Sequence, residues 1–125
     1  MIDQAWADEF CTRWLAAWTG GAPRVEELLS FYAPDARYVD PSHPAGIQGS
    51  NALRAYLTRL LSRYPAWTWT ALEVWPAERG FTLKWRASLG ERTCDGLDLV
   101  EIADGRITRN EVYFDPRQLF PSAAL

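Results

Sequence analysis

The feature that most constrains the fold is a strict alternation of apolar and polar residues in the second half of the chain. From Phe81 to Leu89, apolar side chains occupy every odd position and polar side chains every even one. A period of two is that of a β-strand with one buried face. Turn signals at Arg79-Gly80, Gly90-Glu91 and Asp104-Gly105 flank this and the following segment. The pattern therefore predicts an antiparallel meander that begins near Trp67.

Helical periodicity dominates the first half of the chain. Apolar aromatic residues recur at intervals of four within residues 3–19, after Asp3, a plausible N-cap. The same reasoning predicts a short helix at about Pro23–Phe31, a strand at Ala36–Asp40, a loop at Pro41–Gly49 and a helix from Ser50 or Asn51 to about Tyr64. Helices first and a long meander last predict one α+β domain over residues 1–125.

The composition excludes several classes of function. The net charge is −3 and no basic run occurs, which argues against nucleic-acid binding. The two cysteines and the single histidine have no metal-like spacing, so we expect neither a metal nor another cofactor. The first residues lack the features of a signal peptide, and no window approaches the roughly 20 apolar residues of a membrane span. We therefore expect a cytoplasmic protein without a membrane partner.

Two carboxylates fall on strands that are otherwise apolar. Asp40 ends the predicted first strand and shares a face with Tyr38, whereas Asp98 lies between Leu97 and Leu99 on the core-facing side of a later strand. An unpaired buried charge costs several kcal/mol, so both acids need a reason. Either both are satisfied structurally, as in an Asp turn before a proline, or both line a pocket and take part in chemistry.

Further candidates surround these acids in the predicted fold. His43 is the only histidine and follows Asp40 on the proline-rich segment, and Asn110 shares a strand face with Val112 and Phe114. The seven tryptophans either fill the core or line an apolar cavity. The predicted substrate-binding residues are Trp14, Trp18, Tyr38, His43, Tyr56, Trp85, Asn110 and Phe114.

Three motifs carry a resemblance to a known family. They are Phe31–Ala36 leading to Val39-Asp40-Pro41, Gly49–Leu57, and Asp104–Ile107 leading to Tyr113-Phe114-Asp115. In order and spacing they resemble the nuclear transport factor 2-like superfamily, and within it the SnoaL-like polyketide cyclases and ketosteroid isomerases. The resemblance implies a cone-shaped α+β barrel, with a curved, mostly antiparallel sheet wrapped around the N-terminal helices and a deep apolar pocket.

The resemblance also implies roles for single residues. Asp40 matches the general base of ketosteroid isomerases and Asp98 matches their protonated, hydrogen-bond-donating acid. Trp14 stands where those enzymes have a tyrosine, and an indole N–H is a donor that lacks the acidity of a phenol. Val112 stands where limonene-type epoxide hydrolases have an aspartate, which argues against epoxide hydrolysis.

These expectations lead to one function and two alternatives. The first is a cofactor-free acid/base enzyme, an isomerase, cyclase or dehydratase, that forms an enolate from a hydrophobic carbonyl compound such as a polyketide or a steroid-like molecule. The alternatives are a non-catalytic module that binds an apolar ligand and a dimerising protein–protein module. The resemblance further implies a homodimer through the outer sheet face.

Overall fold

The computed structural model describes residues 1–120 and consists of one curved six-stranded sheet with helices packed on it. The elements are α1 (Gln4–Trp18), a 3₁₀ turn (Ala22–Arg24), α2 (Val25–Leu29), β1 (Tyr32–Asp40), β2 (His43–Gln48), α3 (Ser50–Arg63), β3 (Thr68–Pro76), β4 (Gly80–Leu89), β5 (Arg92–Ala103), β6 (Arg106–Tyr113) and α4 (Pro116–Leu119). This architecture confirms the predicted cone-shaped α+β fold.

The sheet order is β2-β1-β6-β5-β4-β3, so the C-terminal half forms the expected antiparallel meander. Only the pair of β1 and β6 is parallel among the strand pairs of residues 1–120, and it joins the two halves of the chain. Val39 is opposite Glu111, and Val112 is opposite Asp98. This register places Asp40 and Asp98 on either side of Val112, two strand spacings or about 10 Å apart at the backbone.

The prediction of a loop at Pro41–Gly49 is wrong, because most of this segment forms β2. Asp40 accepts hydrogen bonds from the backbone N–H groups of Ser42 (2.9 Å) and His43 (3.0 Å), which folds the chain back antiparallel to β1. β2 lies at the edge of the sheet, where the missing N–H of Pro44 is tolerated. Local composition indicates a loop, whereas pairing with β1 makes a strand.

The helices cover one face of the sheet, and the hydrophobic core of the protein lies between them and that face. Asp3 caps α1 as predicted, with its side chain accepting from Trp6 N at 2.8 Å. Phe10 and Trp14 of α1 pack on Phe81 of β4, with ring centroids 5.7 and 6.2 Å apart. α3 packs on α2 and on β1 and β2, toward the opposite edge of the sheet from the strands that α1 contacts. Within residues 1–120, no helix combines the length and apolar character needed to cross a membrane.

Candidate functional site

A cavity of about 440 Å³ opens between α1, α3 and the sheet. Its volume lies within the range of about 300–1,000 Å³ typical of small-molecule sites. Half of its lining residues are aromatic, and both acids singled out from the sequence reach it. The lining residues are Leu15, Trp18, Tyr38, Asp40, Pro41, Ser42, Tyr56, Leu60, Arg63, Tyr64, Trp67, Trp69, Trp85, Asp98, Val112, Phe114, Pro116 and Phe120.

Asp40 is surrounded by hydrogen-bond donors. Its Oδ1 accepts from the Ser42 hydroxyl (2.7 Å) in addition to the two backbone N–H groups of the turn, and its Oδ2 accepts from the Tyr38 hydroxyl (2.9 Å) and the Tyr56 hydroxyl. The carboxylate is only 6% exposed. Five donors therefore face one carboxyl group, whose two oxygens have about four lone-pair sites between them.

Asp98 has a different environment on the same cavity wall. It is 5% exposed, its Oδ1 accepts from Trp85 Nε1 at 2.6 Å, and its Oδ2 accepts from Asn110 Nδ2 at 2.9 Å. Burial raises the pKa of Asp98 to about 7, while the two N–H donors act in the opposite direction and the charge of Asp40 adds to the rise. Near neutral pH, Asp98 therefore populates both its acid and its base form.

The tyrosines beside Asp40 keep their protons. Burial, followed by the negative charge of Asp40, raises the pKa of Tyr38 and of Tyr56 well above the ordinary value for tyrosine. Their rings pack together at 5.6 Å between centroids, and the His43 ring packs edge-on against Tyr56 at 4.5 Å. Both hydroxyl protons are directed to Asp40, and Tyr56 Oη therefore retains lone pairs but has no free proton.

A buried polar chain leads away from Asp98 into the core. Asn110 is fully buried, and its Oδ1 accepts a hydrogen bond from the Tyr32 hydroxyl at 2.8 Å. Its amide N–H₂ donates a hydrogen bond to Asp98. Burial and the charge of Asp98 raise the pKa of Tyr32, and burial raises the pKa of the Cys11 thiol to about 12. Tyr32 therefore stays a donor, which fixes the Asn110 amide with its N–H₂ toward Asp98.

The structure brings most of the predicted site residues to one cavity. Asp40, Asp98, Trp18, Tyr38, Tyr56, Trp85 and Phe114 line it. His43 and Asn110 are not among the lining residues, and they contact Tyr56 and Asp98 respectively.

Trp14 departs from its expected place as a substrate-binding residue. It is fully buried in the core between Tyr32 and Phe81, and it is not among the residues that line the cavity. The α1 periodicity places it on the buried face, but the neighbouring rings from β1 and β4 close over it. Helix periodicity identifies a buried side chain without distinguishing the core from a cavity wall.

Several lining residues were not singled out in the sequence. Leu60 and Arg63 follow Tyr56 by four and seven positions on α3, which is the spacing of one helix face. Trp67 and Trp69 alternate at the start of β3. Both spacings are visible in the sequence, but only the packing of α3 and β3 around one space makes them part of a site.

The described residues offer no evident metal site. No three His, Cys, Asp or Glu side chains of residues 1–120 gather as metal ligands would. The two cavity acids lie on separate strands, and the donors described above already occupy the Asp40 carboxylate.

Residues 11–110 match the family of SnoaL-like domains, and the chain belongs to this family. No curated protein shows significant sequence similarity to the chain.

Solved structures share the fold at low sequence identity. A protein with a ketosteroid isomerase-like fold from Catenulispora acidiphila, solved in complex with trimethylamine, is 21% identical with a TM-score of 0.76, over 94% of this chain and 93% of its own. A SnoaL-like protein of unknown function from Burkholderia thailandensis is 20% identical with a TM-score of 0.76, over 92% and 99%. A de novo designed protein with a curved β-sheet is 14% identical with a TM-score of 0.73, over 93% and 90%. Because a designed protein shares this fold, function must be argued from the site.

Proposed function

We propose that the protein is a cofactor-free acid/base enzyme that moves a proton on a hydrophobic carbonyl compound bound in the cavity. The observation that carries the proposal is the Asp98 carboxyl, which lies on the cavity wall with its pKa raised by burial to about 7. A general acid or base works best when its pKa is close to the working pH. The SnoaL-like family and the ketosteroid isomerase-like fold are consistent with an isomerase or a related enzyme.

The proposed roles of the two acids differ from those expected from the resemblance. Asp40 was expected to be the base, but its five donors make its lone pairs poor proton acceptors. Asp98 has only two N–H donors and keeps free lone pairs. In the proposed reaction, ionised Asp98 removes a proton alpha to the substrate carbonyl. The carboxylic acid so formed returns the proton to the enolate, and isomerisation, cyclisation and dehydration all begin from that enolate.

A screen of β,γ-unsaturated ketones and polyketide mimics tests the proposal. We expect Asp98→Asn to lower kcat by about 10²- to 10⁴-fold, the usual size of a general acid/base contribution. We expect wild-type kcat/KM to change with pH near 7, since the free enzyme's essential group titrates there. Asp95→Asn is the matched control, because Asp95 lies on the same strand and pairs with Arg86 away from the cavity. Equal turnover in both variants would contradict the proposed role of Asp98.

A second candidate is a module that binds an apolar ligand without converting it. The saturated Asp40 carboxylate and the largely aromatic wall favour binding over proton transfer at that end of the cavity. The trimethylamine complex of the Catenulispora protein is consistent with small-molecule binding by this fold. Tight binding of the screened compounds with no turnover in any of them would favour this candidate.

We also propose that two copies pair through the outer sheet face. Leu97, Leu99 and Tyr113 are 42%, 36% and 56% exposed there, on neighbouring strands. Arg109 beside them bridges Glu101 (2.7 Å) and Glu111 (2.5 Å), which holds the charges of this face in pairs. An exposed apolar group with a paired polar rim is typical of protein interfaces.

A further inference from the structure

We propose that the ligand of this cavity carries a hydrogen-bond donor, a hydroxyl or a protonated amine, and places it against Tyr56 and Asp40. The proposal rests on the proposed function only in that it assigns the ligand to the same cavity. It adds the chemical class of the ligand, since a purely carbonyl or hydrocarbon compound lacks such a donor.

The argument begins with the protons at this end of the cavity. Each hydroxyl there has one proton, and Tyr38, Tyr56 and Ser42 all direct theirs to Asp40. Ser42 Oγ also contacts His43 Nδ1 at 3.1 Å and the Tyr56 hydroxyl at 3.4 Å, and its single proton is used within this group of side chains. No side-chain hydroxyl of this group keeps a proton for a ligand.

The backbone adds no donor at the turn. The N–H groups of Ser42 and His43 also bind Asp40, and Pro41, which lines the cavity, has no N–H. Arg63, a cation on the cavity wall, lies seven residues further along α3 from Tyr56, about 10 Å away. Its Nε donates to the Tyr64 hydroxyl at 3.0 Å.

The Asp40 end of the cavity therefore presents oxygen lone pairs. A ligand oxygen without a proton would lose its hydration and form no hydrogen bond with these lone pairs. A ligand O–H or N–H would instead donate a hydrogen bond to one of them. The negative charge of Asp40 acts in the same direction, and it favours a protonated amine as well as a hydroxyl.

Calorimetry with three naphthalene derivatives tests the proposal: 2-naphthol, its methyl ether 2-methoxynaphthalene, and protonated 2-naphthylmethylamine. The first and third have a donor, and the second has only an acceptor. For the wild-type protein, we expect 2-naphthol to bind at least about fivefold more tightly than the ether, as one net hydrogen bond implies. The order of 2-naphthol and the amine assigns the donor to a hydroxyl or to a protonated amine, and either order supports the proposal.

Asp40→Asn provides the decisive variant. Its carbonyl oxygen can keep the backbone N–H bonds of the turn, while its N–H₂ replaces Oδ2 and donates to the tyrosine oxygens. The two tyrosine protons are then free for a ligand, so the preference should vanish or reverse in favour of the ether. The exposed Asp95→Asn control should bind the three compounds as the wild type does.

Three results would overturn the inference: tighter binding of the ether by the wild type, an unchanged preference in Asp40→Asn, or no binding of any of the three compounds. Turnover is not needed for any of these measurements. An absence of catalysis would therefore remove the proposed enzyme activity without changing the expected ratio of affinities.

Discussion

Replacing Asp98 by asparagine should remove a pH dependence from the stability of the protein. Burial raises the pKa of Asp98 from 3.8 to about 7 in the folded chain. A folded-state pKa above that of the unfolded chain means that the folded chain binds the proton more tightly. The contribution of Asp98 to stability is therefore complete below about pH 4 and is lost as the pH rises to about 7.

The size of this contribution follows from the shift. About three pKa units at 1.36 kcal/mol each correspond to about 4 kcal/mol over the whole range. Between about pH 5 and pH 8, the linkage relation leaves a loss of about 3 kcal/mol in the free energy of unfolding. Glu26, Asp95 and Asp115 have their pKa values lowered, mainly by hydrogen bonds from arginine side chains, so they titrate below this interval.

Urea unfolding at pH 5 and pH 8 measures the effect. With a slope of about 1–3 kcal/mol per M, the wild-type midpoint should fall by about 1 M or more between the two pH values. In Asp98→Asn the difference should be below about 1 kcal/mol, and the substitution has a structural cost of its own that does not change with pH. Its amide N–H₂ meets an N–H donor from Trp85 or Asn110, which costs about 1–3 kcal/mol until Asn110 turns over.

The experiment is best done in a His43→Gln background. His43 is the only histidine of the chain, so this background leaves no imidazole to titrate between pH 5 and pH 8. If the Asp98→Asn variant keeps the same pH dependence as its parent, the argument that burial of Asp98 controls it is refuted.

Three further changes test other parts of the structure. Asn110→Leu removes a hydrogen-bond donor to the ionised Asp98 and should raise the pKa of Asp98 by about one unit or more. ¹³C NMR of the Asp98 carboxyl measures this pKa, and an unchanged value would contradict the positioning role of the Asn110 amide. Gly96→Ala would bring a Cβ against Trp85 Cζ2, so it should lower the free energy of unfolding by about 1–3 kcal/mol. Thermal unfolding and the near-UV circular dichroism of tryptophan measure the effect, and an unperturbed protein would show that β5 adjusts freely. Leu99→Arg should convert a dimer to a monomer in sedimentation velocity, and a wild-type monomer would remove the dimer proposal.

The periodicity of the chain was enough to predict most of its elements. The helix at 3–19, the helix that starts at Ser50 and the C-terminal meander correspond to α1, α3 and β3–β6. These predictions succeed because they depend on residues close together in the chain: a repeat of about four or of two, and glycine at the turns. The same local signals missed β2, whose hydrogen bonds come from β1 across a turn, and α4, a single short helix capped by Asp115.

The sequence also placed both candidate acids on core-facing strand positions, since alternation alone predicts which side of a strand is buried. It could not decide their chemistry. Asp40 has its donors within three residues on the strand and turn, except Tyr56 from α3, and that local turn is a structural role the pattern already suggested.

Only the tertiary structure decided the environment of Asp98 and the walls of the cavity. The two donors of Asp98 lie 13 and 12 residues away on neighbouring strands, and the hydroxyl that orients Asn110 lies 78 residues away on β1. The same holds for Trp14 and Trp18, which share one face of α1, yet Trp14 is enclosed by core rings and Trp18 reaches the cavity. Burial, donor placement and cavity shape depend on which distant segments meet, so the raised pKa of Asp98 arises from packing and not from the residues beside it in the chain.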